Sequence, residues 1–251
     1  MAKHNRLFLF SYYGGKSKIA HLYPHPLFDT IVEPFAGAAN YSCYHFKHKV
    51  VLFEKNPVVF GVLDFLVKSS EKDILALPLL EKGQFVKELK ICEEARNLIG
   101  FRIVMGAPTP QKRSGSYAAD KEKRGIGSSW NESARYQLSH HVNKIKHWKV
   151  VFGSCWDAFE EFKNQEVTWF IDPPYQGKKG KVYPCGSQDI EYAKLQKKCL
   201  QAKGQVIVCE GEEADWLSFC KFHFNEGRGV KRVSWEMIWT KGCKKPMGFG
   251  L

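Results

Sequence analysis

Short β-branched runs that stop at an acidic residue recur along this chain, and they constrain its fold more than any other feature. Thr30-Ile31-Val32 ends at Glu33-Pro34, and Val50-Val51-Leu52-Phe53 ends at Glu54. Between them, Ala38 to Phe46 has the length and composition of a helix, and Pro57 suits the first turn of another that runs to about Val67. The same texture returns after residue 148, in Lys149-Val150-Val151-Phe152, Val167-Thr168-Trp169-Phe170-Ile171 and Gln205-Val206-Ile207-Val208-Cys209. Strands alternating with helices predict βαβ units and a parallel sheet, hence an α/β fold. A last strand is expected from Arg232 to Thr240, where Val233, Trp235, Met237 and Trp239 alternate with Ser234, Glu236 and Ile238. That alternation gives one largely apolar face.

The middle of the chain reads differently. Residues 84 to 104 look helical, with Phe85, Leu89, Cys92, Leu98 and Ile99 as apolar positions. The stretch 106 to 129 is rich in Gly, Pro, Ser and charge and has no periodicity, which predicts a functional or mobile loop. Trp130 to Trp148 resumes a helical pattern. The chain therefore divides into a core of residues 1–67 and 149–251 and an insert at 68–148. A length of 251 residues suits one core domain carrying a smaller insertion.

Charge narrows the partners. Lys and Arg total 38 against 26 Asp and Glu, a formal charge of +12. Each phosphate that such a surface neutralises releases condensed counterions, so a polyanion is a natural ligand, although a generally solvated basic surface gives the same sum. No apolar run approaches the roughly 18 residues of a membrane span. The stretch Leu7-Phe8-Leu9-Phe10 is too short for a signal peptide and ends at Ser11-Tyr12 without a small-residue cleavage site. The expectation is a cytoplasmic protein of a bacterium or a phage-infected host. Eight cysteines are scattered without a C-x-x-C pair, as in a reduced compartment. His140, His141 and His147 come nearest to a metal set, but adjacent histidines leave a helix on different faces, so no metal is expected.

The chemistry concentrates in Asp172-Pro173-Pro174-Tyr175, directly after the strand that ends at Ile171. Ligands of open α/β sheets bind at the carboxyl ends of the strands, so an acid, a rigid turn and an aromatic ring stand at the expected mouth of a site. The two prolines present their carbonyls without sheet pairing. Glu33-Pro34-Phe35-Ala36-Gly37-Ala38-Ala39 also lies at a strand end and opens a helix, and its small residues allow close backbone approach to a ligand. Gly37 is its only glycine, so it is not a dinucleotide-binding G-x-G-x-x-G. Glu54, ending the next strand, is placed to accept hydrogen bonds from ribose hydroxyls. Gly15-Lys16-Ser17 looks like the end of a P-loop, but Phe10 stands where that motif needs its first glycine.

Together, Tyr12-Tyr13-Gly14-Gly15-Lys16, Glu33-Pro34-Phe35-Ala36-Gly37 and Asp172-Pro173-Pro174-Tyr175 resemble the Dam-type DNA adenine methyltransferases. That family carries an aromatic-x-Gly-Gly-Lys opening, a Glu-Pro-Phe-x-Gly cofactor loop and Asp-Pro-Pro-Tyr after a later strand. Ile99-Gly100-Phe101, His147-Trp148-Lys149 and Val208-Cys209-Glu210-Gly211 are similar to segments of phage-borne members, and residues 106 to 129 match least. The resemblance implies a Rossmann-like methyltransferase sheet with an inserted helical, loop-bearing DNA-recognition region. It implies S-adenosylmethionine as cofactor. Tyr12, Gly14, Gly15 and Lys16 would hold its methionine end, and Glu33-Pro34-Phe35-Ala36-Gly37 would form the loop beneath it. Glu54 would hold the ribose, where many relatives have Asp, and Cys155-Trp156 would lie near the adenine. Asp172 would serve both cofactor and substrate.

The implied reaction explains the residue types. The exocyclic amine of adenine is a poor nucleophile because its lone pair is delocalised into the ring. A carboxylate and a backbone carbonyl that accept its two hydrogens localise that pair. Tyr175 would stack on a base flipped out of the duplex. Positioning and electrostatics then suffice without an enzyme nucleophile or a metal. For double-stranded DNA, Arg113, Lys121, Lys123 and Arg124 of the insert are candidate contacts, with an arginine reading a base edge. Lys178, Lys179 and Lys181, just after the catalytic motif, are candidate phosphate contacts. Cytosine-N4 methyltransferases usually have Ser in place of Asp172, and protein-glutamine methyltransferases usually have Asn. RNA adenine methylation and a non-catalytic, basic DNA-binding protein on the same fold stay open at this stage.

Overall fold

The computed structural model describes residues 6–81, 83–104, 106–113, 130–226 and 233–242. Its centre is a sheet of seven strands: β1 (Thr30–Glu33), β2 (Lys49–Glu54), β3 (Lys149–Phe152), β4 (Val167–Ile171), β5 (Gly204–Gly211), β6 (Cys220–Glu226) and β7 (Val233–Lys241). They lie in the order β3-β2-β1-β4-β5-β7-β6. The first five pair in parallel, and β7 runs antiparallel between β5 and β6. This is a Rossmann-like α/β fold, as the strand–helix alternation predicts.

Both faces of the parallel strands are covered, which is why their sequences read as continuous apolar runs. Ile31, Val50, Leu52, Phe170 and Ile207 point into one buried cluster, and Val32, Val51, Phe53, Trp169, Ile171 and Val206 point into the other. The first cluster is completed by α1 (Asn40–Tyr44), α2 (Pro57–Lys68), α3 (Glu71–Leu75), α4 (Glu93–Arg102) and α5 (Glu132–Asn143). The second is completed by α6 (Cys155–Glu161) and α7 (Tyr192–Gln201). Residues of the insert, among them Ile74, Leu98 and Leu138, share the first cluster with Ile31, so insert and sheet pack as one core.

Local chemistry sets the element ends. Pro57 sits in the first turn of α2 behind Asn56, whose side chain accepts the Val58 N–H at 3.0 Å. Asn131 caps α5 the same way, accepting from Ala134 N at 2.8 Å. Where Ala38 to Phe46 reads as helix, α1 covers only Asn40–Tyr44, because Gly37 (φ 48°) and Ala39 (φ 50°) are left-handed and no helix can start before them. The helical expectation for 84 to 104 resolves into a 3-10 turn at Val86–Glu88 followed by α4. Among the described residues no helix is long and apolar enough to cross a membrane.

The chain runs outward from β1 through β2 to β3, then returns to lay β4 on the other side of β1. The strand order therefore reverses between β1 and β4. At such a switch point the connections leave in opposite directions and open a crevice at the carboxyl ends of the strands. Glu33-Pro34 and Asp172-Pro173 end the two strands that flank it.

Candidate active site

A cleft of about 1050 Å³, part of it open to solvent, occupies that crevice. Three separate stretches of chain meet there. Tyr12, Gly14, Gly15 and Lys16 come from the segment before β1, Glu33 to Gly37 from the end of β1, and Asp172 and Pro174 from the end of β4. Glu54 contributes from the end of β2, and Cys155 with Trp156 from the first turn of α6. Every residue assigned from sequence to the cofactor thus lines one cavity.

The loop after β1 is shaped for close approach. Gly37 needs its positive φ, and a Cβ there would lie 3.3 Å from the Tyr12 ring. Glu54 braces this loop. Its Oε2 accepts the Gly37 N–H at 2.9 Å, and its Oε1 accepts the Asn56 N–H at 2.8 Å. Burial raises the Glu54 carboxyl above its ordinary value, and these backbone donors oppose the rise. Each oxygen keeps a further lone pair for a ligand hydroxyl. Glu33 is buried, and its Oε1 accepts both the N–H (2.8 Å) and the hydroxyl (2.5 Å) of Ser42 on α1. Burial pushes its carboxyl up to about 8.

Lys16 behaves differently from a residue that simply reaches into the cleft. Its buried ammonium lies 2.9 Å from Asp172 Oδ1 and 3.6 Å from Glu236 Oε1, and it donates to the Gly14 carbonyl at 2.9 Å. It also sits 4.8 Å from the centre of the Tyr175 ring. Burial alone would depress the ammonium, but the two carboxylates reverse this and hold it above the ordinary lysine value. For Asp172, burial raises the carboxyl to about 6, Lys16 lowers it and Glu236 raises it. Asp172, Cys209 and Glu236 bring three potential metal-binding atoms within 4.8 Å of one another, yet the cation that meets both carboxylates is the lysine.

Asp172-Pro173-Pro174-Tyr175 is held from several sides. The Tyr192 hydroxyl donates to the Pro174 carbonyl at 2.6 Å. The Tyr175 hydroxyl donates to Glu236, which also accepts from Tyr23 at 2.9 Å. Beyond it, the Gln176 N–H donates to buried Glu210 at 3.1 Å, and Trp216 Nε1 donates to the same carboxylate at 3.0 Å. Burial raises Glu210 to about 7. Pro173 and Tyr175 are not among the residues lining the cleft.

Among the described residues, none of the candidate DNA contacts lines the cleft. Lys178, Lys179 and Lys181 are exposed, on and beside a 3-10 turn at Lys179–Val182. Arg113 donates Nε to the Gly83 carbonyl at 2.8 Å, with its guanidinium 5.1 Å from the Phe85 ring, so it ties two insert segments together. Lys121, Lys123 and Arg124 lie outside the described residues. Of the histidines, His141 Nδ1 is 3.2 Å from the backbone of Phe8, His140 Nδ1 is 3.0 Å from the Tyr136 carbonyl, and His147 Nε2 is 2.9 Å from the His48 carbonyl.

Several residues of the site carry no signal in the motifs. Tyr183 reaches over it, donating its hydroxyl to the Tyr13 carbonyl at 3.1 Å. Cys185, Asp189 and Ile190 line the same wall, and no local pattern marks them. Asn56 also lines the cleft, and its place before Pro57 is a readable cap signal. Alternation puts Glu236 on the polar face of the last strand, but it and Ile238 are buried, whereas Trp235, Met237 and Trp239 are half-buried.

The sequence matches no protein-family profile and no curated protein. Among solved structures, the chain is similar to a conserved hypothetical protein of Streptococcus pyogenes, at 8% identity and a TM-score of 0.37, with 84% of each chain covered. At that level nothing passes from one protein to the other, and the site stands on its own geometry.

Proposed function

We propose that this protein is an S-adenosylmethionine-dependent DNA methyltransferase acting on the exocyclic N6 amine of adenine. The observation that carries the reading is the convergence of the aromatic-x-Gly-Gly-Lys, Glu-Pro-Phe-x-Gly and Asp-Pro-Pro-Tyr segments on one cleft at the switch point of the sheet. The residues present suit the cofactor. The Glu54 carboxylate offers lone pairs to ribose hydroxyls, the left-handed Gly37 clears space beside them, and the buried Glu33 carboxyl can meet an ammonium. When bound, S-adenosylmethionine supplies a methyl group on a sulfonium leaving group.

The chain's own residues would do the rest. Lys16 occupies Asp172 Oδ1, and we assign Oδ2 to one hydrogen of the amine. The other hydrogen would go to a backbone carbonyl of the two prolines; the Pro174 carbonyl lines the cleft and, with Tyr192 on one lone pair, keeps a second. With both hydrogens held, the nitrogen lone pair points at the methyl carbon. As that pair formed the N–C bond the C–S electrons would leave with sulfur, and the proton lost from nitrogen would pass to Asp172 Oδ2 and on to solvent. The Tyr175 hydroxyl is anchored on Glu236, so its ring is fixed before the base arrives; because that ring does not line the cleft, the base it would stack on sits beside the cleft rather than in it. The charge of +12 and the exposed Lys178, Lys179 and Lys181 favour a nucleic-acid substrate. Methylation-sensitive sequencing of DNA from cells expressing the protein tests the proposal. Methylated adenine confined to one sequence motif is the expected result, and unmodified DNA despite soluble protein counts against it.

A further inference from the structure

We propose that Glu236 is a positioning residue for this reaction: it takes up the charge of Lys16, so that Asp172 keeps a net negative charge for the reacting amine. The proposal rests on the methyl-transfer reading and extends it to a residue outside the three motifs.

The geometry makes the case. An ammonium 2.9 Å from Asp172 would, by itself, cancel the charge of the carboxylate that has to stabilise positive charge developing on the amine. Glu236 Oε1 stands 3.6 Å from the same ammonium. Counting Asp172, Glu236 and Lys16 together leaves one negative charge; counting Asp172 and Lys16 alone leaves none. The lysine is needed in turn, because a buried and a half-buried carboxylate this close repel each other unless a cation stands between them. Tyr23 and Tyr175 both donate to Glu236, which fixes its carboxylate beside the ammonium.

The fold builds this contact on purpose-shaped backbone. Glu236 sits on β7 directly opposite Gly211 of β5. A Cβ at Gly211 would lie 3.1 Å from the Tyr175 ring, so the missing side chain lets Tyr175 cross β5 and reach Glu236. Tyr175 thereby links the catalytic motif to a strand it does not pair with.

A purely structural Glu236 and a charge-setting one differ in their effect on Asp172. The groups facing Asp172 are Lys16 before β1, Glu33 on β1, Cys209 and Glu210 on β5, Glu236 on β7, and the Tyr23, Tyr175 and Tyr183 hydroxyls. The tyrosines and Cys209 are raised by burial and stay neutral near pH 6, and Glu33 (about 8) and Glu210 (about 7) titrate above it. Glu236 raises Asp172, so removing its charge makes Asp172 ionise at lower pH.

The experiment compares the full-length protein with Glu236→Gln, which keeps size and an acceptor oxygen but loses the charge. Asp172 is followed by carboxyl 13C NMR without cofactor, and methyl transfer is followed against pH on adenine-unmethylated DNA of mixed sequence. In the variant we expect the Asp172 midpoint to fall by about one pH unit. Turnover should fall about tenfold or more while cofactor affinity stays within about threefold. An unmoved midpoint, or turnover within about twofold of wild type, overturns the proposal. Should Glu236→Gln fail to fold in thermal melts, Glu236→Asp keeps the charge but draws it back by one methylene from Lys16 and Asp172, and a smaller fall in the midpoint is expected; no shift overturns the proposal. Wild-type protein that transfers no methyl group overturns the activity reading alone, since a midpoint shift in Glu236→Gln would still support the charge arrangement.

Discussion

Replacing Glu54 with Gln perturbs the cofactor side of the cleft with minimal change in shape, and its cost can be worked from the hydrogen bonds. One carboxylate oxygen serves Gly37 N and the other serves Asn56 N. An amide has one acceptor oxygen, so whichever way it turns, its NH2 faces one of these backbone donors. Losing a hydrogen bond to a charged acceptor costs about 1.5–3 kcal/mol. If the ribose also binds this carboxylate, that loss appears in affinity as a roughly tenfold to 150-fold weaker Kd. The orphaned N–H appears separately in stability, at about 1–3 kcal/mol, which for a chain of this size is a fall in Tm of about 2–12 °C. Calorimetry with S-adenosylhomocysteine, beside thermal melts of the unliganded protein, reads the two effects apart. A variant with a lower Tm but unchanged affinity would refute the ribose assignment and leave Glu54 as a loop brace. A variant unchanged in both would refute the bracing as well.

Other expectations follow from the same geometry. Asp172→Asn should lose nearly all methyl transfer while melting normally. In the wild type, the Asp172 carboxyl is raised to about 6, so the active ionised form is present above that pH and activity should fall about tenfold per pH unit below it; flat activity from pH 5 to 7 would count against this. Gly14→Ala places a Cβ 2.2 Å from the Tyr183 hydroxyl at a φ of +68° and should weaken cofactor binding, with partial recovery in Gly14→Ala/Tyr183→Phe; calorimetry on both variants checks it. Replacing Lys178, Lys179 and Lys181 with Ala should weaken binding to all DNA sequences and flatten the salt dependence by about 0.9 for each phosphate no longer neutralised. An unchanged salt slope would remove these lysines from the interface.

The strand ends are the legible part of this protein. Runs such as Val167 to Ile171 are apolar on both faces because helices cover both sides of the sheet, and the acids that end them face a cleft rather than a core. Glu33, Glu54 and Asp172 are therefore readable from position alone. Glu236 is not. Its burial depends on Lys16, Tyr23 and Tyr175, of which Tyr23 is 213 positions away, and the alternation around it points to the other face. β7 lies between β5 and β6 inside the sheet, so period-two patterning does not identify a solvent side there. β6 does carry a signal, since Phe222 and Phe224 alternate with Lys221 and His223, but the run is short and stands apart from the acid-ended pattern of the parallel strands. The late start of α1 hangs on Ala39 in a left-handed conformation, which a non-glycine residue rarely adopts and composition does not reveal.

The central claim meets its most direct test in a single reaction: purified protein, adenine-unmethylated DNA and S-adenosylmethionine carrying a labelled methyl group, followed by digestion to nucleosides and chromatography. The account predicts label in N6-methyladenosine of the deoxy series, with none in cytosine and none from Asp172→Ala protein. Label in N4-methylcytosine instead, or no label in any nucleoside from folded protein that binds the cofactor, would contradict it.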